Sequence, residues 1–175
     1  MNSFGVLERK NVLRITQASS KSDIEHAREL FKEYEAGLGI SLCFQNFDQE
    51  LAGLPGDYAP PRGRLLLARE FDQVMGCIAL RPLDGASGPT ICEMKRLFIR
   101  PEYRDRGLGR VLVEAIIEEA RKIGYTHMRL DTIADRMNRA VALYKTIGFV
   151  EIPPYRDNPV DTATFMELDL LTPKH

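Results

Sequence analysis

The chain has 175 residues, 44% of them hydrophobic, and a formal net charge of −1 at pH 7. This length suits one domain spanning residues 1–175. The balanced charge gives no reason to expect a nucleic-acid partner. The sequence shows neither a long apolar run nor a secretory leader, so we expect neither a membrane partner nor export. Three cysteines without metal-ligand spacing are expected to be reduced core thiols of a cytoplasmic protein with no metal site: Cys43, Cys77 and Cys92.

The first half of the chain alternates short strand patterns with helical ones. Residues 1–11 are expected to form a loose tail, and 84–89 a turn-rich loop. Between them we predict an edge strand over 12–18, helices over 22–37 and 44–52, and a hairpin of strands over 63–70 and 74–82. A further strand is predicted after the loop, over 91–99. Ser22 or Asp23 is expected to cap the first helix. The apolar segment 38–63 either covers a satellite core or walls a substrate pocket.

Residues 99–110, IRPEYRDRGLGR, place two glycines directly before an amphipathic helix. Gly107 and Gly109 permit unusual dihedrals and close approach of a ligand to the backbone. The first turn of a helix has amide groups without internal partners, so it favours an anion. A pyrophosphate held there would also meet Arg104, Arg106 and Arg110. The alternative interpretation is a glycine turn before a surface helix.

The second half of the chain predicts a strand–helix–strand crossover. One face of the phosphate helix is expected to be buried: Val111, Leu112, Ala115, Ile116, Ala120 and Ile123. Gly124 then caps that helix. The later elements are a strand over 126–132, a helix over 138–147 ended by Gly148, and strands over 149–152 and 164–170. The pattern indicates an α/β fold with a mixed sheet.

These motifs resemble those of the GNAT superfamily of N-acetyltransferases. The superfamily's Arg-x-x-Gly-x-Gly box, preceded by a proline, corresponds to Pro101, Arg104, Gly107 and Gly109. A later Tyr-x-x-x-Gly-Phe box corresponds to Tyr144, Gly148 and Phe149. The resemblance implies a single-domain GNAT fold, with a mixed, mostly antiparallel sheet of six or seven strands flanked by helices.

The resemblance also implies acetyl-CoA as donor, a primary amine as acceptor and direct attack without a covalent enzyme intermediate. The cofactor would enter a gap between the strands that end at Ile99 and Thr132. The residues it would contact are Leu97, Phe98, Ile99, Arg104, Asp105, Arg106, Gly107, Leu108, Gly109, Arg110 and Asn138. Many members carry a cofactor-binding asparagine where this chain has Met137. Asn138 either replaces that residue or caps the helix.

Three residues are candidates for proton transfer. Tyr144 occupies the position of the family's general acid; the alternative is a core tyrosine. Glu93 matches the base of some branches, or forms a salt bridge with Lys95 or Arg96. Asp131 is the other candidate base. Strand alternation would place Glu93, Lys95, Leu97 and Ile99 on one face.

Two other functions remain open at this stage. One is a catalytically silent acetyl-CoA-binding regulatory domain, and the other is an acetyltransferase acting on protein lysines or N-termini. Segments 38–63 and 153–163 are expected to shape the acceptor site. Sheet edges in this family often pair, so a homodimer is possible. The arginines between Arg96 and Arg110 fit a small polyanionic ligand better than a duplex.

Overall fold

The computed structural model describes residues 12–83, 90–133 and 135–172. The expected tail 1–11 and loop 84–89 lie outside these residues. The described elements are β1 (Leu13–Gln17), α1 (Lys21–Leu38), α2 (Phe47–Gly53), β2 (Arg64–Glu70), β3 (Gln73–Pro82), β4 (Ile91–Ile99), α3 (Leu108–Ile123), β5 (His127–Ile133), α4 (Asn138–Ile147), β6 (Val150–Ile152) and β7 (Ala163–Asp169), with 3₁₀ turns at Cys43–Gln45, Gly56–Tyr58 and Pro101–Tyr103.

One seven-stranded sheet organises the molecule, in the order β1-β2-β3-β4-β5-β7-β6. β4 and β5 are parallel, and the other neighbouring strands are antiparallel. The mixed sheet, the edge position of β1, the β2–β3 hairpin and the parallel crossover through α3 are therefore confirmed. Among the described residues, no helix is long and apolar enough to cross a membrane.

Each face of the sheet buries its own core. The α3 and α4 side is centred on Leu112, Ile116 and Tyr144. The α1 and α2 side is centred on Phe31 and Phe47. This second core contains much of segment 38–63, because the residues Leu42, Phe47, Leu54 and Tyr58 are buried in it.

Two local predictions about the helices are wrong in detail. The side chain of Ser20, not Ser22 or Asp23, caps α1, and Asp23 completes a capping box by accepting from the Ser20 amide. In α3, Val111 is exposed rather than buried, because Leu112 and Val113 turn toward the core instead. Gly124 has a φ of 103° and caps α3 as predicted.

One cysteine departs from the predicted core set. The thiols of Cys77 and Cys92 are buried, each with its sulfur near a backbone carbonyl oxygen, and burial raises the pKa of both. Cys43 is exposed. It opens a 3₁₀ turn whose neighbours Leu42 and Phe47 take the buried positions.

A β-bulge in β4 overturns the expected alternation of that strand. Arg96 has a φ of 58°, and the register with β3 shifts between Cys77 and Ala79. Lys95 and Arg96 both reach toward α2 and the turn before it. The expectation that Glu93, Lys95, Leu97 and Ile99 share one face is therefore wrong. Leu97 and Ile99 pack on the α3 side: their side chains join the core that contains Leu112.

Candidate active site

The sheet opens between its two parallel strands. β4 and β5 are paired at Ile91–His127, Cys92–Met128 and Glu93–Arg129, and the described pairing goes no further. Beyond this point β4 bulges at Arg96, while β5 continues to pair with β7 as far as Ile133. The backbone of β4 after the bulge therefore faces a gap, as the family resemblance implied, with unpaired ladder positions on that side.

A groove of about 770 Å³ runs from this gap to the start of α3. Gly107 lies at the N-terminus of that helix with a φ of 76°, a left-handed conformation that favours glycine. Within the described part of the chain no side chain caps this end, so the first-turn amides at Leu108, Gly109 and Arg110 face the groove without an intrahelical partner. A Cβ at Gly109 would meet only Leu143 Cδ2, at 3.5 Å.

The arginines near this loop divide into two groups. Arg104 and Arg110 line the groove, where Arg104 Nε donates to the Ile99 carbonyl and Arg110 donates to Thr146 Oγ1 at 2.7 Å. Arg106 turns away to Glu70, at 3.0 Å. Part of the dense run of arginines therefore forms ion pairs within the protein, which corrects the expectation that Arg106 faces the groove with Arg104 and Arg110. Two further members of that run are paired inside the protein: Arg96 with Glu50, and Arg100 with Glu33.

The opposite wall of the groove begins at α4. Asn138 is the first residue of this helix and lines the groove. Met137, not Asn138, occupies the N-cap position, and its side chain makes no capping hydrogen bond; Asn138 therefore does not cap the helix. Arg136 and Arg139 also line the groove and were missed by the sequence motifs. A run of arginines at a helix start was the signal that could have found them.

An inner cavity of about 30 Å³ adjoins the groove. Both are bordered by the residues Tyr34, Leu38, Leu97 and Met137. Tyr144 lines the inner cavity, and its ring packs against Phe149 with centroids 5.6 Å apart. Burial raises the pKa of Tyr144, with a further contribution from Tyr34, so its hydroxyl stays protonated at neutral pH.

Asp131 also lines the inner cavity, at the end of β5. Arg156 Nη2 donates to its Oδ1 at 2.5 Å, and Asn158 Nδ2 donates to its Oδ2 at 3.1 Å. Burial acts to raise the pKa of Asp131, but the charges of Lys95 and Arg156 outweigh burial and hold it below its usual value. Asp131 is therefore ionised throughout the neutral range.

Glu93 is buried beneath other side chains and does not line the inner cavity. Arg81 Nη2 lies 2.8 Å from its Oε2, and the Tyr155 hydroxyl donates to its Oε1 at 2.9 Å. Arg156 also contacts Glu93, so one guanidinium bridges both candidate bases. Glu93 therefore forms salt bridges, as the alternative interpretation held, but with Arg81 and Arg156 rather than with Lys95 or Arg96.

Lys95 reaches the inner cavity from the bulge. Its Nζ donates to Gln45 Oε1 at 3.0 Å and lies 3.9 Å from Asp131 Oδ1. Burial lowers the pKa of Lys95 to about 8, although Glu93 acts to raise it. Gln45 belongs to segment 38–63, so this segment is both part of a core and a wall of the cavity.

The site as a whole is that of an acyltransferase: a groove for an elongated anionic donor leads through a splayed sheet to a tyrosine and a carboxylate. A family model for the acetyltransferase (GNAT) family matches residues 24–149. An uncharacterised N-acetyltransferase of Schizosaccharomyces pombe is 41% identical over 159 residues, which is 90% of this chain and 95% of that protein. The chain therefore belongs to the GNAT family of acetyltransferases, and acetyl-CoA is its acyl donor.

Other relatives are more distant. An IAA acetyltransferase of Azospirillum brasilense is 36% identical over 114 residues, covering 64% of this chain and 71% of that protein. A GNAT acetyltransferase of Staphylococcus aureus has the same fold, with a TM-score of 0.74 at 22% identity over 91% of this chain and 99% of that chain. An acetyltransferase of Salmonella typhimurium, solved with acetyl-CoA, has a TM-score of 0.65 at 22% identity over 91% and 95% of the two chains.

Proposed function

We propose that the protein transfers the acetyl group of acetyl-CoA to a small primary amine by direct attack. The observation that carries this proposal is the junction of two spaces. The anion-binding groove meets a small inner cavity that holds both Tyr144 and Asp131. A donor lying in the groove would present its reactive end at this junction.

The donor would be held chiefly by backbone groups. The first-turn amides of α3 suit the pyrophosphate, because helix N-termini attract anions. Arg104 and Arg110, and on the facing wall Arg136 and Arg139, would add positive charge. The unpaired edge of β4 at 97–99 suits the pantetheine amides, in the manner of an added strand. Asn138 would contact the donor from the start of α4.

Tyr144 would act as the general acid and Asp131 as the group that receives the acceptor. In the transfer a nitrogen–carbon bond forms and the carbon–sulfur bond breaks. The ammonium form of the acceptor loses two protons, one to a base and solvent and one that ends on the CoA thiol. A tyrosine that stays protonated can supply a proton to the departing sulfur. Asp131 faces the cavity and is ionised, so it can bind the ammonium and accept a proton directly or through water.

Glu93 would then be a positioning residue rather than the base. Its carboxylate is enclosed by Arg81, Tyr155 and Arg156, and it holds the loop 153–163 against the sheet through the last two. A carboxylate enclosed in this way lies beyond the reach of an amine in the cavity. This role also explains why a glutamate is buried in a strand.

The enclosure of the cavity favours a small acceptor over a protein segment. Gln45 covers it from one side, and Asn158 of loop 153–163 covers it from the other. An extended peptide would need an open groove at this point. The presence of Tyr144 and Asp131 on one cavity favours an active enzyme over a silent binding domain.

An acceptor screen tests the proposal. Acetyl-CoA binding is measured by calorimetry, and release of the CoA thiol is measured over a panel of small amines, free lysine and peptides. We expect thiol release to depend on a small amine and its product to be the acetamide. Tight donor binding with no transfer to any amine would contradict the proposal, and faster transfer to peptides would contradict the preference for small acceptors.

A further inference from the structure

A cluster of charged side chains with unequal numbers of cations and carboxylates reaches the inner cavity through Lys95 and Asp131. Among the described residues, the cluster joins three cations to two carboxylates: Arg81, Lys95 and Arg156 against Glu93 and Asp131. The nearby Arg96 is neutralised by its own bidentate partner, Glu50. The cluster therefore has a formal excess of one positive charge when Lys95 is protonated.

Lys95 carries this excess. Arg81 and Arg156 each contact a carboxylate at hydrogen-bonding distance, whereas the nearest carboxylate oxygen to Lys95 Nζ is 3.9 Å away. The short hydrogen bond of Lys95 goes instead to the neutral amide of Gln45. Its side chain is only 4% exposed, so water does little to solvate the charge. A buried ammonium in this situation is stabilised by an added anion.

We propose that the acceptor is a small zwitterion, an α-amino acid or a close analogue, whose ammonium pairs with Asp131 and whose carboxylate pairs with Lys95. This inference rests on the proposed function and names the substrate class. In an α-amino acid the nitrogen lies about 2.5 Å from the carboxyl carbon, from standard bond lengths and angle. Lys95 Nζ and Asp131 Oδ1 are 3.9 Å apart and opposite in charge. The two ion pairs can therefore lie side by side.

The chemistry of the reaction agrees with this arrangement. The carboxylate supplies the close anionic partner that Lys95 lacks, while the ammonium pairs with Asp131. Because a zwitterion has no net charge, its binding leaves the formal charge of the cluster unchanged. Acetylation then removes the positive charge of the amine but keeps the carboxylate. The product therefore no longer forms an ion pair with Asp131.

Matched acceptor pairs test this inference. Methionine is compared with 3-(methylthio)propylamine, and phenylalanine with 2-phenylethylamine, by CoA thiol release at saturating acetyl-CoA. Each pair differs only in the carboxylate. We expect kcat/KM to be about 10- to 100-fold higher for the amino acid, the size of effect typical of a hydrogen bond to a charged group. Equal or faster acetylation of the amines that lack the carboxylate would overturn the inference.

A variant locates the effect at Lys95. Lys95→Met removes the charge and keeps the length of the side chain, and Lys145→Met removes an exposed lysine paired with Glu151 as a control. We expect Lys95→Met to bring the ratio of amino acid to amine toward one, mainly through KM, and Lys145→Met to preserve it. An unchanged ratio in a folded Lys95→Met protein would also overturn the inference.

The outcomes separate the inference from the proposed function. Acetylation of simple amines without preference for a carboxylate leaves the proposed function intact and refutes the zwitterion. Donor binding without acetylation of either member of any pair contradicts both. Calorimetric titration of methionine into the protein saturated with CoA gives an independent measure, since binding there is expected to weaken in Lys95→Met and not in Lys145→Met.

Discussion

Replacing Tyr144 with phenylalanine separates a catalytic hydroxyl from a structural one. Tyr144 is 3% exposed, and its ring packs in the core shared by α3 and α4. Phenylalanine keeps that ring and removes the hydroxyl. Among the described residues, no group hydrogen-bonds this hydroxyl, which faces the inner cavity. Its removal therefore leaves no protein donor or acceptor unpaired.

The expected effects on stability and on turnover differ widely. With no protein hydrogen bond lost, Tyr144→Phe should change the free energy of unfolding by less than about 0.5 kcal/mol. That change corresponds to about 2 °C or less in Tm for a chain of this size. Loss of general-acid help lowers turnover by about 100- to 10,000-fold. The fall should appear in kcat, with the Kd for acetyl-CoA nearly unchanged.

Tyr125→Phe is the matched control. Tyr125 is equally buried, and its hydroxyl donates to the Arg62 carbonyl at 2.8 Å, away from the inner cavity. We expect this variant to lose about 1 kcal/mol of stability, or about 2–4 °C in Tm, and to keep its kcat. The measurements are Tm, CoA affinity by calorimetry and steady-state thiol release. Wild-type turnover in Tyr144→Phe would remove this tyrosine from the mechanism.

Three further predictions test the groove, the two carboxylates and the buried lysine. Gly109→Val should weaken CoA binding in calorimetry without unfolding the protein. Gly53→Val, where a Cβ meets open space away from the groove, should leave CoA binding unchanged. Equal CoA affinity in the two variants would refute the assignment of the groove. Asp131→Asn should lower kcat/KM for the acceptor, whereas Glu93→Gln should mainly lower the free energy of unfolding, by about 2 kcal/mol. If instead Glu93→Gln lost activity and Asp131→Asn lost only Tm, Glu93 would be the base. Because burial lowers the pKa of Lys95 from 10.5 to about 8, the unfolded chain binds more protons than the folded protein between these pH values. The free energy of unfolding of the wild type should therefore rise relative to that of Lys95→Met from pH 8 to 10.5. A constant difference in Tm between the two proteins would contradict the lowered pKa.

The sequence predicted the parts of the fold that depend on local patterns. The glycines before α3 and at its end, and the apolar runs of β2 and β3, are local features of the chain. The positions of these elements were therefore predicted to within a few residues. The exceptions are equally physical. The expected single helix over 44–52 is broken at Asn46, which adopts a φ of 56° between a 3₁₀ turn and α2. Nothing in the apolar pattern marks that change.

The side-chain network of the site was beyond such patterns. Arg156 lies 63 residues from Glu93 and 25 from Asp131, and it joins both through a loop with no regular periodicity. Sequence reasoning named the two carboxylates and the loop 153–163 that carries Arg156, but it did not predict that this guanidinium bridges the two carboxylates. Long-range ion pairs of this kind depend on how the chain folds back, so spacing along the sequence carries no record of them. Lys95 was similarly considered only as a partner of Glu93.

The bulge at Arg96 connects this unpredicted part of the structure to function. A positive φ at a non-glycine residue is unfavourable by about 1 kcal/mol or more. Here it is offset by the contacts of the Arg96 guanidinium, which donates to Glu50 at 3.0 and 2.5 Å and lies over the rings of Tyr34 and Phe47. The bulge places Arg96 on the same side of the sheet as Lys95, and it lies between the paired part of β4 and the stretch at 97–99 that lines the groove. One strained residue, held in place by a buried ion pair, thus lies between the paired part of β4 and the edge that we propose as the donor site.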